Sequence, residues 1–447
     1  MTQRSYLKCD VCGSITIIRL QAGWLDWHPI IIPCGHCGIL ISGKATFRPP
    51  HVDCEFHNAT QVGEQQADFY LEISGELPAK LLRPMGAEPY VWSPPPFFQA
   101  LEGMGQENYD LFRSRFVAFL NNIDKSWPEV RRINELWNSG ERGYLAKEVH
   151  TMLPRKQWPM TNEAEMLRGV HQVKLRFFHP ILSSDYFTAA SEDLMPKIKG
   201  LAQKHPAGFV DLLTYFSPDN LLKHYEQISF NRLQVFVELF RSLIPAFAQF
   251  FYKNGVPDDV GITTVDFDAL KHFYADSYES LSELLPLVIA YNNLSERGDF
   301  RVMKSLRKDV TTLDQLLEKS KGDRLRFVDG SEPFGGGIAK DLNNKLRNAI
   351  AHNSYSYDRK QQQITYFSSG QIGQGDALSI TLLAFAGACW NLQNRMMEVV
   401  ELLYQTRKNG FVFLHGHPIV SPVVFASEPK RAPAKKERPR RRTHNKR

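Results

Sequence analysis

Two copies of one short pattern constrain this chain more than anything else in it. Near the N-terminus stand Cys9-Asp10-Val11-Cys12-Gly13 and Cys34-Gly35-His36-Cys37-Gly38. Four thiolates spaced in this way can close a tetrahedral metal site, and an all-thiolate set suits zinc. The glycine after each pair lets a tight knuckle turn form without a Cβ clash. The β-branched residues between the pairs (Ile15, Ile17, Ile18, Ile30, Ile31, Ile32) predict strands. A closed four-cysteine site has no open coordination position, so the metal would be structural. The other reading, a pair of redox motifs or disulfides, is opposed by the expected cytosolic setting and by the lack of a thioredoxin-like βαβ pattern around either pair. His36 is a spare ligand inside the second knuckle, and Cys54 and Cys389 lie outside the set.

Residues 1–50 therefore resemble a zinc ribbon, with Cys9, Cys12, Cys34 and Cys37 as the zinc ligands. Trp24 and Trp27 offer ring faces that can stack on bases, but packing of a small domain is the preferred account. Residues 51–104 read as a β extension and linker ending at Pro94-Pro95-Pro96. Apolar residues recur at helical spacing over 105–265 (Phe116, Phe119, Phe236, Phe240, Leu243) and again from 266 onward. The expected fold is mainly α: a small β ribbon, a helical middle region, and a helical domain over 266–408. Segment 409–447 carries a disordered basic tail; its His415-Gly416-His417 lacks a third ligand and reads as a loop.

Charge sharpens this division. Residues 430–447 hold ten Lys/Arg and one acid, Glu437, a net of +9. Taken from the +6 of the whole chain, this leaves −3 for residues 1–429. The body is not a basic nucleic-acid binder by composition, whereas the tail can supply salt-dependent phosphate attraction. No apolar leader follows Met1, and the most apolar stretch, 230–252, contains Arg232, Glu238, Arg241 and Pro245. It is expected to be a buried helix, with a cytoplasmic location and no membrane contact.

The candidate chemistry lies in Arg347-Asn348-Ala349-Ile350-Ala351-His352. An arginine can hold a phosphate, and a histidine can move a proton near neutral pH. These are the two tasks of a metal-free RNA-cleaving site. A helix from Ile338 to about Asn353 would place Ile338, Leu342, Leu346, Ala349 and Ile350 on one core-facing stripe. At about 100° per residue, Arg347 and His352 then fall on opposite shoulders. The Asn348 amide would reach the His352 ring four residues on. One straight helix does not aim both side chains at one spot, so either the long Arg347 bends toward His352 or a second copy packs against the helix and the two share a groove.

This motif, the approach through Gly335-Gly336-Gly337, the hairpin expected between Tyr355–Tyr357 and Ile364–Phe367, and the apolar helix expected over Asp376–Arg407 together resemble a HEPN domain. The resemblance covers residues 266–408. It implies a helical bundle dimerising through the motif helix. It also implies a metal-independent endoribonuclease, a toxin or effector of prokaryotic antiviral defence or abortive infection. Arg347 and His352 would be catalytic and Asn348 would orient them. The RNA 2′-OH would attack its own phosphorus, giving a 2′,3′-cyclic phosphate and a 5′-OH. Some HEPN toxins carry a tyrosine two residues after the histidine, open to modification by a partner. Here Tyr355 stands three after it, as a candidate RNA-binding or regulatory residue. RNA, a second copy of the chain and an antitoxin or trigger protein are the implied partners. The alternative is a non-catalytic nucleic-acid-binding or scaffold protein built from the same two parts.

Overall fold

The computed structural model describes residues 2–48, 51–86, 94–183, 186, 193–217, 221–328, 330–369, 371–373, 375–419 and 421. The basic stretch 430–447, expected to be disordered, lies outside them.

Each cysteine knuckle turns one strand back upon the next. Strand β1 (Thr2–Cys9) pairs antiparallel with β2 (Ile15–Gln21), and β3 (Trp27–Pro33) with β4 (Leu40–Arg48). The isoleucines alternate inward, so Ile18, Ile30, Ile32 and Ile41 form a small core of their own. The boundary expected at residue 50 falls inside this unit. β5 (His51–His57) pairs with β4, β6 (Ala59–Val62) with β1, and β7 (Phe69–Ser74) runs parallel to β2. What reads in sequence as an extension of the ribbon supplies its missing strands. The short β8 (Ala79–Lys80) and β9 (Arg83–Pro84) follow.

The helices begin at Pro96, earlier than the expected 105. α1 (Pro96–Ser139) bends at Gly105, where φ is 76°, and ends at left-handed Gly140. Next come α2 (Arg142–Met152), α3 (Glu163–Phe178), α4 (Met195–Lys204), α5 (Pro206–Phe216) and α6 (Leu221–Ala248). After a short strand, β10 (Val260–Gly261), the long α7 (Phe267–Arg297) starts on a capping side chain: Asp266 accepts the Ala269 amide at 3.0 Å. Two short helices, α8 (Leu313–Leu317) and α9 (Lys321–Arg324), lead to α10 (Gly336–Asp341) and α11 (Asn344–Ala351). The final helix, α12, spans Leu382–Phe413.

One apolar core runs from α1 to α12 and erases the boundary expected at 265. Phe236 and Phe240 of α6 meet Trp390 of α12 at ring-centroid distances of 5.2 and 5.9 Å, and Phe119 of α1 meets Phe240 at 4.6 Å. The middle region and the motif-bearing region are thus one bundle. By length and composition, Leu221–Phe251 could cross a membrane, but half its most apolar window is buried inside this bundle. That agrees with the buried helix expected there.

The ribbon is docked, not tethered. Ile31 N–H donates to Thr263 O at 2.8 Å, and Arg241 of α6 donates to Asp26 and to Trp27 O at 2.9 and 3.0 Å. The cations of Lys44 and Arg241 lie 4.6 and 4.4 Å from the Trp27 ring, so Trp27 packs as expected. Trp24 does not: it is 61% exposed, with Arg113 over its ring.

Candidate functional site

The four cysteines converge. Their sulfurs all lie within 4.8 Å of one another, with Cys9–Cys37 at 3.8 Å and Cys12–Cys34 at 3.6 Å. A tetrahedral ion with metal–sulfur bonds of about 2.3 Å requires sulfur–sulfur edges of about 3.8 Å. Disulfides would need about 2.05 Å. The set therefore fits a tetrathiolate metal site and does not fit disulfides. Both knuckles close through the backbone: Gly13 N–H reaches Cys9 O at 2.9 Å and Gly38 N–H reaches Cys34 O at 3.0 Å. Gly13 and Gly38 hold φ of +76° and +73°, the conformation their identity anticipates. Cys9 and Cys34 are buried, whereas Cys12 and Cys37 face outward. Burial pushes the Cys34 thiol up to about 12, and the Ser14 amide draws Cys12 down to about 7. A dication would deprotonate all four.

The motif helix departs from its expected form. The predicted single helix from Ile338 breaks at Leu342 and Asn343, because Asn343 leaves helical geometry to cap α11 and accepts the Leu346 amide at 3.1 Å. The core stripe survives the break: Ile338, Leu342, Leu346, Ala349 and Ile350 are all buried. Tyr274 and Tyr278 of α7 hold the start of α11, donating to Asn343 O at 3.4 Å and to the Asn344 side chain at 3.2 Å.

The far end of α11 is closed by Asn353, in left-handed geometry at φ 54°. Ser354 N–H returns to Ala349 O at 2.7 Å and Asn353 N–H to Ile350 O at 3.2 Å, which makes a Schellman closure. His352 is the cap residue and not a member of the helical cylinder. Its ring is exposed at the negative end of the helix dipole.

Arg347 lies back on α7. Its guanidinium donates to the Glu279 carboxylate, from Nε at 2.7 Å and also from Nη2, and to Asn348 Oδ1 at 3.0 Å. The Tyr278 ring lies 5.8 Å from it. The expectation that Asn348 serves His352 is thus corrected: its carbonyl oxygen goes to Arg347. Within one copy, no hydrogen bond joins Arg347 to His352 among the described residues. Tyr355 is half-buried on β11 (Tyr355–Asp358). Its hydroxyl accepts from Lys271 at 3.1 Å and its ring meets Phe267 edge-on at 5.0 Å.

The expected hairpin forms between β11 and β12 (Gln363–Phe367), in a register that sets Tyr355 opposite Tyr366. The sequence reading missed a third strand, β13 (Ala377–Thr381), because the apolar run of α12 was extended back over it. The helix begins only at Leu382, where Thr381 accepts the Ala384 amide at 3.2 Å. Two further contacts were invisible in sequence. Glu279 meets Arg347 across 68 residues, and no local pattern marks it. At the hairpin turn, Lys360 Nζ donates to His36 O, between the cysteines of the second knuckle, at 2.9 Å. Gln362 beside it exchanges two hydrogen bonds with the Ile262 backbone, at 2.9 and 2.8 Å.

Comparison with protein-family models, with characterised proteins and with solved structures gives no match, so the site stands on its own geometry.

Proposed function

We propose that this protein is a metal-independent endoribonuclease of HEPN type, acting in the cytoplasm as a toxin or effector of prokaryotic antiviral defence. The observation that carries the reading is the shape of α11. An exposed histidine ends an eight-residue helix whose arginine is half-buried and already oriented by two neighbours. His352 moves the proton on the attacking or leaving oxygen. Arg347 neutralises the phosphate in the transition state, and Asn348 holds its guanidinium. The nucleophile is the RNA's own 2′-OH. Since Arg347 and His352 do not meet within one copy, a two-fold pair joined at α11 supplies one from each chain. RNA must displace Glu279 from Arg347, so that carboxylate acts as a latch. Tyr355 flanks the groove, and an antitoxin or trigger protein would act there. Zinc in the four-cysteine site holds the ribbon and takes no part in the chemistry.

The test is induction in bacterial cells of wild type, Arg347→Ala and His352→Ala, each confirmed soluble. Wild type alone should fragment RNA and stop growth, leaving 2′,3′-cyclic phosphate ends. Fragments with 5′-phosphates would overturn the mechanism. The engagement of Arg347 by Glu279 favours one other reading, a non-catalytic nucleic-acid-binding scaffold. Under it, removal of 430–447 lowers RNA affinity and His352→Ala changes nothing.

A further inference from the structure

The end of α1 opens onto a second site unrelated to the motif. A cavity of about 250 Å³ lies between α1, α2, α6 and α12, lined by Trp137, Arg142, Lys223, Glu226 and Arg407 among others. A smaller cavity of about 30 Å³ shares Trp137 and Glu226 with it and reaches Lys174 of α3. Four basic residues thus line the two cavities that share Glu226, and of these only Arg407 stands within 4 Å of its carboxylate. Glu226 already accepts the Trp137 indole N–H at 3.2 Å and stands 3.6 Å from Arg407 Nε. Arg142 lies 4.4 Å and Arg407 5.5 Å from the Trp137 ring.

The end of α1 explains only part of this. Helix-terminal carbonyls attract cations, and Arg142 indeed donates to Trp137 O at 2.9 Å and pairs with Glu163 at 3.2 Å. Lys223 and Lys174 have no ion-pair partner among the described residues, and the Arg407 side chain is only 16% exposed. Burial brings the Lys174 ammonium down to about 8 even with Glu226 close by. Partly buried like charges are costly unless an anion joins them. Two guanidinium groups and an ammonium around one opening match the oxygens of a phosphate.

We propose that this cleft binds a small phosphate-bearing molecule, its phosphate held by Arg407, Lys223 and Arg142 and its affinity limited by Glu226. The size suits a compact ligand, since the cavity sits just below the roughly 300 Å³ at which drug-sized sites begin. Glu226 competes with the phosphate for the same cations, so its removal should tighten binding. A merely structural role for Glu226 predicts no such gain.

The experiment is calorimetric titration of the full chain with inorganic phosphate and, separately, with adenosine monophosphate, at fixed ionic strength. Wild type should bind at least one of them saturably. Glu226→Gln should bind several-fold tighter, and Lys223→Gln and Arg407→Gln about tenfold weaker, which is about 1.4 kcal/mol. Lys223 is half-exposed, so its variant keeps the test valid if Arg407→Gln fails to fold. Equal binding of both probes assigns the site to phosphate itself, and binding of the nucleotide alone assigns it to a phosphorylated small molecule. If neither probe binds wild type or Glu226→Gln, or if Glu226→Gln binds no tighter, the proposal fails.

Discussion

The ribbon and the motif helix assemble their key side chains in opposite ways. In the ribbon, four cysteines from two knuckles arrive at one point, with sulfur separations that a single ion would dictate. On α11, two residues only five positions apart remain separate, and each is held by something else: Arg347 by Glu279, His352 by the helix end. Metal geometry forces ligands together within one chain. A short helix only places residues around an axis, and what they meet depends on distant segments or on another molecule.

The largest effect should come from breaking the point of convergence. Cys34→Ser, or removal of metal by a chelator, should unfold the ribbon and cost several kcal/mol, given that structural zinc contributes on the order of 10 kcal/mol to small domains. Metal stoichiometry and far-ultraviolet dichroism would read this out, and a ribbon unchanged without metal would cancel the contrast.

On the motif side, anchoring and chemistry should separate. Leu346→Ala removes a buried side chain from the α11 stripe and should destabilise by about 2–5 kcal/mol in denaturant titration. His352→Ala, at an exposed position, should stay within about 0.5 kcal/mol while abolishing RNA cleavage.

The ribbon also carries an acid-sensitive group. Burial holds His28 neutral, down to about 4 from its ordinary 6.5, with Arg241 adding to the effect and the Pro29 carbonyl opposing it. The unfolded chain takes up this proton first as pH falls. Stability should therefore be intact above pH 6.5 and decline toward pH 4, by about 3 kcal/mol in all. His28→Gln should flatten that part of the pH profile measured by thermal unfolding.

Smaller effects test the latch. Glu279→Gln should change stability by less than about 1 kcal/mol, because the pair is about a third exposed. It should nonetheless raise RNA affinity several-fold by freeing Arg347. An unchanged or weaker affinity would favour a purely structural ion pair.

How much of this was legible in the sequence follows the same line. The cysteine ligands, their glycines, the buried stripe of α11 and the two strands of the hairpin all rest on local spacing, and all were readable. Asn343 ending one helix to begin another was missed because its cap competes with a helix that the apolar stripe alone would continue. β13 was missed because five residues of strand adjoin thirty-two of helix, and apolar content alone does not separate them. The boundaries expected at 50 and 265 failed because strand pairing and core packing cross them. Glu279 and Lys360 act over 68 and 324 residues, beyond the reach of any spacing argument.

The contact of Lys360 with His36 bears on the order in which the molecule is made. The two knuckles stand close together in the chain, so a metal ion can close them soon after the second has been made. The groups that seat the ribbon on the bundle (Arg241, Thr263 and Lys360) emerge 200 to more than 300 residues later. All strands of the ribbon through β7 thus precede the groups that seat it. The hairpin after His352 carries one of those groups, Lys360, so it can touch the ribbon only after the helices up to α11 have been made.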